Sequence, residues 1–257
     1  MKHFLILIAI TTSSFGSAWV REKGGLFLSP AFFYYEADKY FDKDGNKKPI
    51  GCKFHKREVQ LYGEFGVTDN YTLTFKVPYA NLKCNASNSG LGDAEIGVIR
   101  SLKKGKSNIS AYTNVIIPTG YSLQEEPRLG YARYGLEGGL LYGFSGKWGF
   151  FDSGGGLRYY FGYPSTQFRA YVVGGYNLSR WLLLYGQLDA QIGLGDGKRK
   201  VIGQNIFLEP DYKLIQLYVG PRFIYGKGSV GFGYQKVIWG RNTGDGSGFF
   251  LNVWQSF

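Results

Sequence analysis

Few residues in this 257-residue chain are suited to catalysis. Hydrolysis by a nucleophilic serine requires a histidine base within hydrogen-bonding reach. The sequence contains two histidines, His3 and His55, and no G-x-S-x-G motif accompanies either. His55 is flanked by Lys53, Lys56 and Arg57. We therefore predict that the protein is not an enzyme, and keep a lipid enzyme built around His55 as an alternative.

The first 18 residues and the two cysteines point to an exported protein. A basic start at Lys2 is followed by the apolar stretch Phe4–Ile10 and by small residues ending at Ala18. This is the pattern of a secretory signal peptide cleaved after Ala18, with a short buried helix as the alternative. In an exported protein, Cys52 and Cys84 predict a disulfide, with two free thiols as the alternative.

No metal or cofactor site is predicted. Asp42 to Asn46 briefly resembles a calcium loop, but the sixth and twelfth positions are Lys47 and Lys53 instead of the required Gly and Glu. A polar turn is the preferred interpretation, and weak cation binding stays open. Two cysteines alone do not make a zinc site, and no Gly-Lys pair completes a phosphate-binding loop.

The elements that must position these residues are predicted to be strands. The chain contains 39 glycines, and each glycine inside a helix costs roughly 1 kcal/mol relative to alanine. Polar and apolar residues alternate along many segments, most clearly from Glu58 to Phe65. About twelve such segments can be counted. They begin near Leu26, Lys53, Tyr71, Asp93, Asn108, Ala132, Trp148, Gln167, Trp181, Tyr212, Ser229 and Ser247.

The connections between these segments alternate between short and long. Thr68–Asn70 and Gly226–Gly228 are short, whereas Asp42–Cys52, Lys83–Gly92 and Gly195–Asp211 are long. Short periplasmic turns and long outer loops are typical of outer-membrane barrels. The sequence therefore predicts an all-β fold, an antiparallel up-and-down transmembrane β-barrel of about 12 strands over residues 19–257. A secreted sandwich is the alternative, because its strands alternate too.

The predicted barrel implies particular partners and a location in the outer membrane of a Gram-negative bacterium. Its outward apolar side chains would contact outer-membrane lipid and lipopolysaccharide. The last strand carries alternating apolar residues and a terminal aromatic one, which resembles the signal read by the barrel assembly machinery: Phe249, Leu251, Val253 and Phe257. The formal net charge of +11 would suit nucleic acid, but an exported compartment disfavours that partner.

The strand pattern places charged residues of both signs on the inner face. They are Glu58, Glu64, Lys76, Glu95, Glu137, Arg158, Arg169, Asp189 and Arg222. Charges inside a barrel must be hydrated or paired. One interpretation is a water-filled path for solutes, and the other is a salt-bridge network that closes a narrow barrel. A continuous path past Lys76, Glu137, Arg158 and Arg222 would distinguish the two.

The first half of the chain resembles a known family. The segments that carry the resemblance are AWVREKGG, EADKYFDKDGNKKPIG, LYGEFGVTDNYTLTFKVPY, SGLGDAEIGV and IIPTG, between Ala18 and Gly120. They are similar to the outer-membrane proteins labelled the meta-pathway of phenol degradation or transporter family, nearest to its XagA-like group. The resemblance implies uptake of small, often hydrophobic or aromatic, compounds. It transfers no catalytic or ligand-binding residues.

The sequence thus leads to one favoured function and one main alternative. The favoured function is a channel or transporter for passive uptake of small molecules, without a cofactor and with an unidentified solute. The alternative is a structural or adhesive surface barrel with a closed lumen.

Overall fold

The computed structural model describes residues 17–122, 124–162, 164–196 and 211–257. Residues 1–16 of the predicted signal peptide and most of the predicted connection Gly195–Asp211 lie outside these ranges. Among the described residues, no helix is long and apolar enough to span a membrane. The strands are β1 (Leu26–Phe41), β2 (Lys47–Thr68), β3 (Tyr71–Lys83), β4 (Ser87–Leu91), β5 (Ala94–Lys103), β6 (Ser107–Ile117), β7 (Gly135–Gly146), β8 (Gly149–Tyr160), β9 (Gln167–Asn177), β10 (Leu182–Gly193), β11 (Lys213–Tyr225), β12 (Gly228–Arg241) and β13 (Thr243–Ser256).

The strands form a closed antiparallel barrel. Each long strand pairs with its neighbours in sequence, and β1 pairs with β13, which closes the sheet. The short strand β4 pairs only with the end of β3 that β5 leaves free. Since β4 and β5 pair with successive parts of β3, we count them as one wall strand, and the barrel then has 12 strands. The predicted fold class is confirmed.

The two faces of the sheet differ as the two-residue alternation predicts. Apolar side chains on the outer face are widely exposed, for example Val59 at 55%, Ile96 at 54% and Leu140 at 58%. The inner face instead buries polar residues, such as Glu64 and Thr72, at 0% exposure. This inversion of an ordinary soluble fold suits a barrel whose outer surface is covered by lipid.

The barrel has a turn end and a loop end. The turn end carries the short connections β2–β3, β5–β6, β7–β8, β9–β10 and β11–β12, together with the C-terminus. The other connections lie at the loop end. Two of them are shorter than predicted: β2 begins at Lys47, not near Lys53, and only Asn242 separates β12 from β13. Their polar residues continue the strand pairing, for example Phe41 with Lys47, because backbone pairing does not require an apolar face.

The turn between β1 and β2 explains the calcium-like sequence. The Asp42 carboxylate accepts hydrogen bonds from the backbone N–H groups of Asp44 and Asn46, each at 2.9 Å, and lies 2.8 Å from the Lys48 ammonium. These contacts, with Lys48 the strongest, lower the pKa of Asp42 to about 2. Asp42 therefore serves as the acceptor that shapes this turn.

Cys52 and Cys84 form a disulfide at the loop end of β2 and β3. Their Cα atoms are 5.6 Å apart, and 32 residues separate them in sequence. The predicted disulfide is confirmed. It joins two strands that are already adjacent in the sheet, so it staples the rim of the barrel.

Removing this disulfide should lower the free energy of unfolding by roughly 3–4 kcal/mol, because a closed loop of this length restricts the unfolded chain. Urea unfolding in detergent micelles, with and without reductant, measures the effect. The double variant Cys52→Ser/Cys84→Ser is the matched control, and its stability should not respond to reductant. Equal stability of the oxidised and reduced wild-type protein would contradict the prediction.

Candidate functional site in the barrel lumen

Residues 17–25 precede β1 and enter the lumen at the turn end; we call them the lumen segment. The backbone N–H of Ala18 lies 3.3 Å from the Asp152 carboxylate on β8, and the Ser110 hydroxyl on β6 donates to the Ala18 carbonyl at 2.7 Å. Ala18 and Trp19 are buried in an aromatic cluster that includes Tyr171. The segment therefore crosses from β1 to the opposite wall.

The lumen segment is also held on the side of β2 and β3. The Arg21 guanidinium contacts the Glu64 carboxylate at 2.5 Å, and the Arg21 backbone N–H donates to the Thr72 hydroxyl at 2.8 Å. Glu64 in turn accepts a hydrogen bond from the Tyr62 hydroxyl at 2.8 Å. These polar contacts tie the segment to the inner face of β2 and β3 at the turn end.

A five-residue ion-pair network lies farther toward the loop end. Glu95 contacts the Lys76 ammonium and lies 2.8 Å from the Arg158 guanidinium. Glu137 contacts Arg158 and lies 3.0 Å from Arg169. All five side chains are at least nine-tenths buried. The network links β3, β5, β7, β8 and β9 across one side of the lumen.

The connection between β6 and β7 folds over the loop end next to this network. The Tyr121 hydroxyl donates to the Asp93 carboxylate at 2.6 Å and accepts from the backbone N–H of Ala132 at 2.7 Å. Burial raises the pKa of Asp93 and of Tyr121. Tyr131 packs edge-on against Tyr160, with ring centroids 5.4 Å apart. This connection is thus anchored by buried contacts on the mouth of the barrel.

A cavity of about 280 Å³ remains on the opposite side of the lumen. Its walls come from β1, β2 and β9–β13, and they carry charged, amide and aromatic side chains. The lining residues are Phe33, Tyr35, Lys56, Glu58, Gln60, Arg169, Asp189, Gln191, Tyr212, Leu214, Gln216, Tyr218, Gln235, Val237 and Thr243. We call this space the lumen cavity.

The structure brings most of the predicted lumen residues into these three features. Glu64 holds the lumen segment, and Lys76, Glu95, Glu137, Arg158 and Arg169 form the ion-pair network. Glu58, Asp189 and Arg169 line the lumen cavity. Where the sequence suggested a path past Lys76, Glu137 and Arg158, these side chains are paired and buried.

Sequence reasoning missed the lumen segment and its partner Asp152. The segment contains no alternation or motif that marks a lumen contact, and it spans the predicted cleavage site after Ala18. The available signal was Asp152 itself, a carboxylate in the aromatic and glycine-rich stretch from Gly149 to Gly156. A charge in such a stretch requires a partner inside the barrel.

Arg222 is separate from these features and lies near the turn end. It is fully buried, donates to the Ser229 hydroxyl at 2.9 Å and to the Asn252 side chain, and lies over the Trp254 ring. No carboxylate among the described residues pairs with it. Gly231 on β12 lies directly across the sheet from Arg222. A methyl group at Gly231 would lie 2.6 Å from the guanidinium and 2.7 Å from Asn252 Oδ1.

Replacing Gly231 by Ala should therefore destabilise the barrel by about 1–3 kcal/mol, as expected for overpacking. Gly174→Ala is the matched control. Gly174 also lies within a strand, but its nearest new contact would be at 3.9 Å. Urea unfolding of both variants measures the difference, and equal stability would show that Arg222 can move aside.

The remaining chemical candidate is His55 on β2. The hydroxyl of Tyr34 lies 3.0 Å from His55 Nδ1, and the Glu36 carboxylate is 3.9 Å from the same nitrogen. Among the described contacts of His55, none comes from a serine. The described residues also contain no group of three or more His, Cys, Asp or Glu side chains that could hold a metal ion.

Comparisons with known proteins agree with the barrel. No family model matches the chain, and no curated protein matches it. Solved structures do. The COG4313 outer membrane channel from Pseudomonas putida F1 has a TM-score of 0.75 and 15% identity, covering 93% of this chain and 98% of that one.

Two further solved structures extend this likeness. The NanC porin has a TM-score of 0.58 and 8% identity, covering 88% of this chain and 98% of that one. The translocator domain of the autotransporter NalP from Neisseria meningitidis has a TM-score of 0.54 and 12% identity, covering 92% of this chain and 90% of that one. At these identities the likeness concerns the fold alone. The chain has the fold of an outer-membrane β-barrel.

Proposed function

We propose that this protein is an outer-membrane channel for the passive uptake of small molecules, closed at rest by its own lumen segment. It would be exported by the signal peptide over residues 1–18 and inserted by the barrel assembly machinery, with the residues from Phe249 to Phe257 as the assembly signal. Its surroundings would be outer-membrane lipid and lipopolysaccharide. No cofactor is required for diffusion through a barrel.

The observation that carries this proposal is the lumen cavity next to a detachable obstruction. A barrel with only a structural role could fill its lumen completely with side chains, yet about 280 Å³ remains open here. The lumen segment blocks the turn end through noncovalent contacts of Trp19 and Arg21, which both follow the proposed cleavage site after Ala18. A solute held in the cavity would reach the turn end once that segment moved.

The resemblance to the meta-pathway family suggests hydrophobic or aromatic solutes. The lumen cavity supports part of this suggestion, because Phe33, Tyr35, Tyr212 and Tyr218 contribute aromatic rings to its wall. Its amide and charged groups favour solutes that also carry polar groups. An aromatic ring with a polar substituent therefore suits the cavity better than a hydrocarbon.

Electrical recording in planar bilayers tests the proposal. The purified barrel should give discrete conductance steps, and liposomes that contain it should swell in iso-osmotic solutions of small solutes. Boiled protein and a barrel of known closed lumen are the controls. Absence of both conductance and swelling, with the barrel correctly folded, would refute a channel.

A structural or adhesive surface barrel is the second candidate, and the ion-pair network favours it. The network and the lumen segment together occupy much of the lumen, as a closed barrel requires. Deleting loop-end residues 122–130 distinguishes the two functions. Loss of surface binding with unchanged permeability would support adhesion, whereas a change in conductance would support the channel.

We also propose that the protein is not an enzyme. His55 is engaged with Tyr34 and Glu36 on the outer face of the wall, away from the lumen cavity. His55→Ala should therefore leave conductance and solute uptake unchanged. Turnover of a lipid substrate that depends on His55 would contradict this proposal.

A further inference from the structure

Asp189 occupies an unusual position in the wall of the lumen cavity. Its side chain is nine-tenths buried, and its carboxylate accepts a hydrogen bond from the Gln187 amide at 2.6 Å. Among the described residues, no lysine, arginine or histidine forms a salt bridge with it. The other carboxylate in the wall, Glu58, lies 2.7 Å from the Lys56 ammonium. Asp189 is thus the wall carboxylate that lacks a cation in contact.

The nearest arginine on the adjacent strand is engaged elsewhere. Arg169 pairs with Gln191 in the β9–β10 register, so it is the diagonal cross-strand neighbour of Asp189, at about 7–8 Å. Its guanidinium lies 3.0 Å from Glu137 in the ion-pair network. That network contains three cations (Lys76, Arg158 and Arg169) and two carboxylates (Glu95 and Glu137), so its net charge is 3 − 2 = +1.

The lumen cavity is therefore dipolar. One part of its wall presents a buried carboxylate without an ion pair, and a neighbouring part presents an arginine from a cluster with excess positive charge. Burying a charge without a partner is costly, and a ligand with two opposite charges would satisfy both parts. The amide groups of Gln60, Gln191, Gln216 and Gln235 and the hydroxyl of Tyr218 can supply further hydrogen bonds.

We propose that the lumen cavity is a binding site for a small zwitterion of the amino-acid class. Its ammonium group would contact Asp189, and its carboxylate would face Arg169. Any aromatic or apolar substituent would lie against Tyr35 and Tyr218. The volume of about 280 Å³ is close to the lower end of ligand pockets, roughly 300–1,000 Å³, and suits a solute of this size. This inference rests on the proposed channel function and names its solute class.

Other charge types fit the cavity less well. A simple organic cation would satisfy Asp189 but would face the excess positive charge of the network. An anion would have to approach the carboxylate of Asp189, which has no cation in contact. A neutral solute would leave both charges as they are. A comparison of the affinities of these ligand classes therefore tests the proposal.

Three ligands with one phenylethyl skeleton separate the classes: L-phenylalanine is the zwitterion, 2-phenylethylamine the cation and 3-phenylpropanoate the anion. Equilibrium dialysis against the folded barrel in detergent micelles, at neutral pH, measures each affinity. We expect L-phenylalanine to bind most tightly. Asp189→Asn should weaken its binding at least about tenfold, because a charged hydrogen bond is lost. Asp189→Glu should restore part of the affinity, and Asp69→Asn, in the turn between β2 and β3, is the control.

The outcomes are distinct from those of the channel test. Tighter binding of the amine or the propanoate, no binding of any of the three, or equal binding by Asp189→Asn and wild type would overturn the zwitterion site. If conductance persisted in any of these cases, the channel function would stand without the zwitterion site. Zwitterion binding to a barrel that never conducts would instead refute the channel and leave the site.

Discussion

The double variant Trp19→Ala/Arg21→Ala should raise the single-channel conductance of the barrel severalfold. Trp19 is buried in the aromatic cluster of the lumen, and the Arg21 guanidinium contacts Glu64 on β2 at 2.5 Å. Removing both side chains detaches the lumen segment from two sides at once and leaves Glu64 accessible to water. The turn end then opens to the space that the segment fills in the wild-type protein.

Planar-bilayer recording of the variant and the wild-type protein measures this effect. Lys23→Ala is the matched control, since Lys23 belongs to the same segment and its side chain is exposed. Heat-dependent mobility on gels shows whether each variant is folded. A folded double variant with wild-type conductance would mean that the lumen segment does not limit the current and that the ion-pair network closes the barrel.

Replacing Glu137 by Gln should lower the free energy of unfolding by about 3–5 kcal/mol, the usual cost of removing one partner from a buried ion pair. Glu137 accepts hydrogen bonds from the Tyr112 hydroxyl and the Arg169 guanidinium, each at 3.0 Å, and also contacts Arg158. Without its charge, the network would retain three cations and one carboxylate. Both arginines would then be buried without sufficient compensation.

Urea unfolding in detergent micelles, followed by tryptophan fluorescence, measures this loss. Glu125→Gln removes the same charge from an exposed position in the connection between β6 and β7, and it should leave stability within about 0.5 kcal/mol of wild type. A loss below about 1 kcal/mol for Glu137→Gln would indicate that water reaches the carboxylate and that the network is hydrated.

The effect of Glu137→Gln on conductance separates the two roles of the network. If the network is a barrier, a less stable variant that still folds should conduct more current than wild type. If the network only braces the wall, conductance should stay unchanged while stability falls. The measurement uses the same bilayer recordings as the lumen-segment variant.

Much of the fold could be predicted from local sequence. Side chains alternate between the faces of a strand, so segments such as Glu58–Phe65 reveal their inner and outer residues without a structure. The same alternation, carried along β7 to β10, places Glu137, Arg158, Arg169 and Asp189 on one face. The disulfide was predictable because its two cysteines bound a hairpin whose register follows from the short turn after β2.

Other features could not be predicted, because they depend on contacts between distant parts of the chain. Strand boundaries at the loop end were wrong by several residues, as at Lys47, since polar residues can continue backbone pairing without any hydrophobic signal. The position of the lumen segment depends on Asp152 and Ser110, which are 134 and 92 residues away from Ala18. No periodicity relates residues so far apart.

The sequence by itself determined a closed antiparallel barrel, its inner and outer faces and its disulfide, because these follow from a two-residue period and from turn lengths. The tertiary structure alone decided which inner charges meet. Closure of the barrel brings Arg158 to Glu95 across 63 residues and turns Arg169 toward Glu137, so that Asp189 has no ion pair. Charge pairing inside a lumen depends on the distances between side chains across the barrel, and these distances cannot be derived from local sequence.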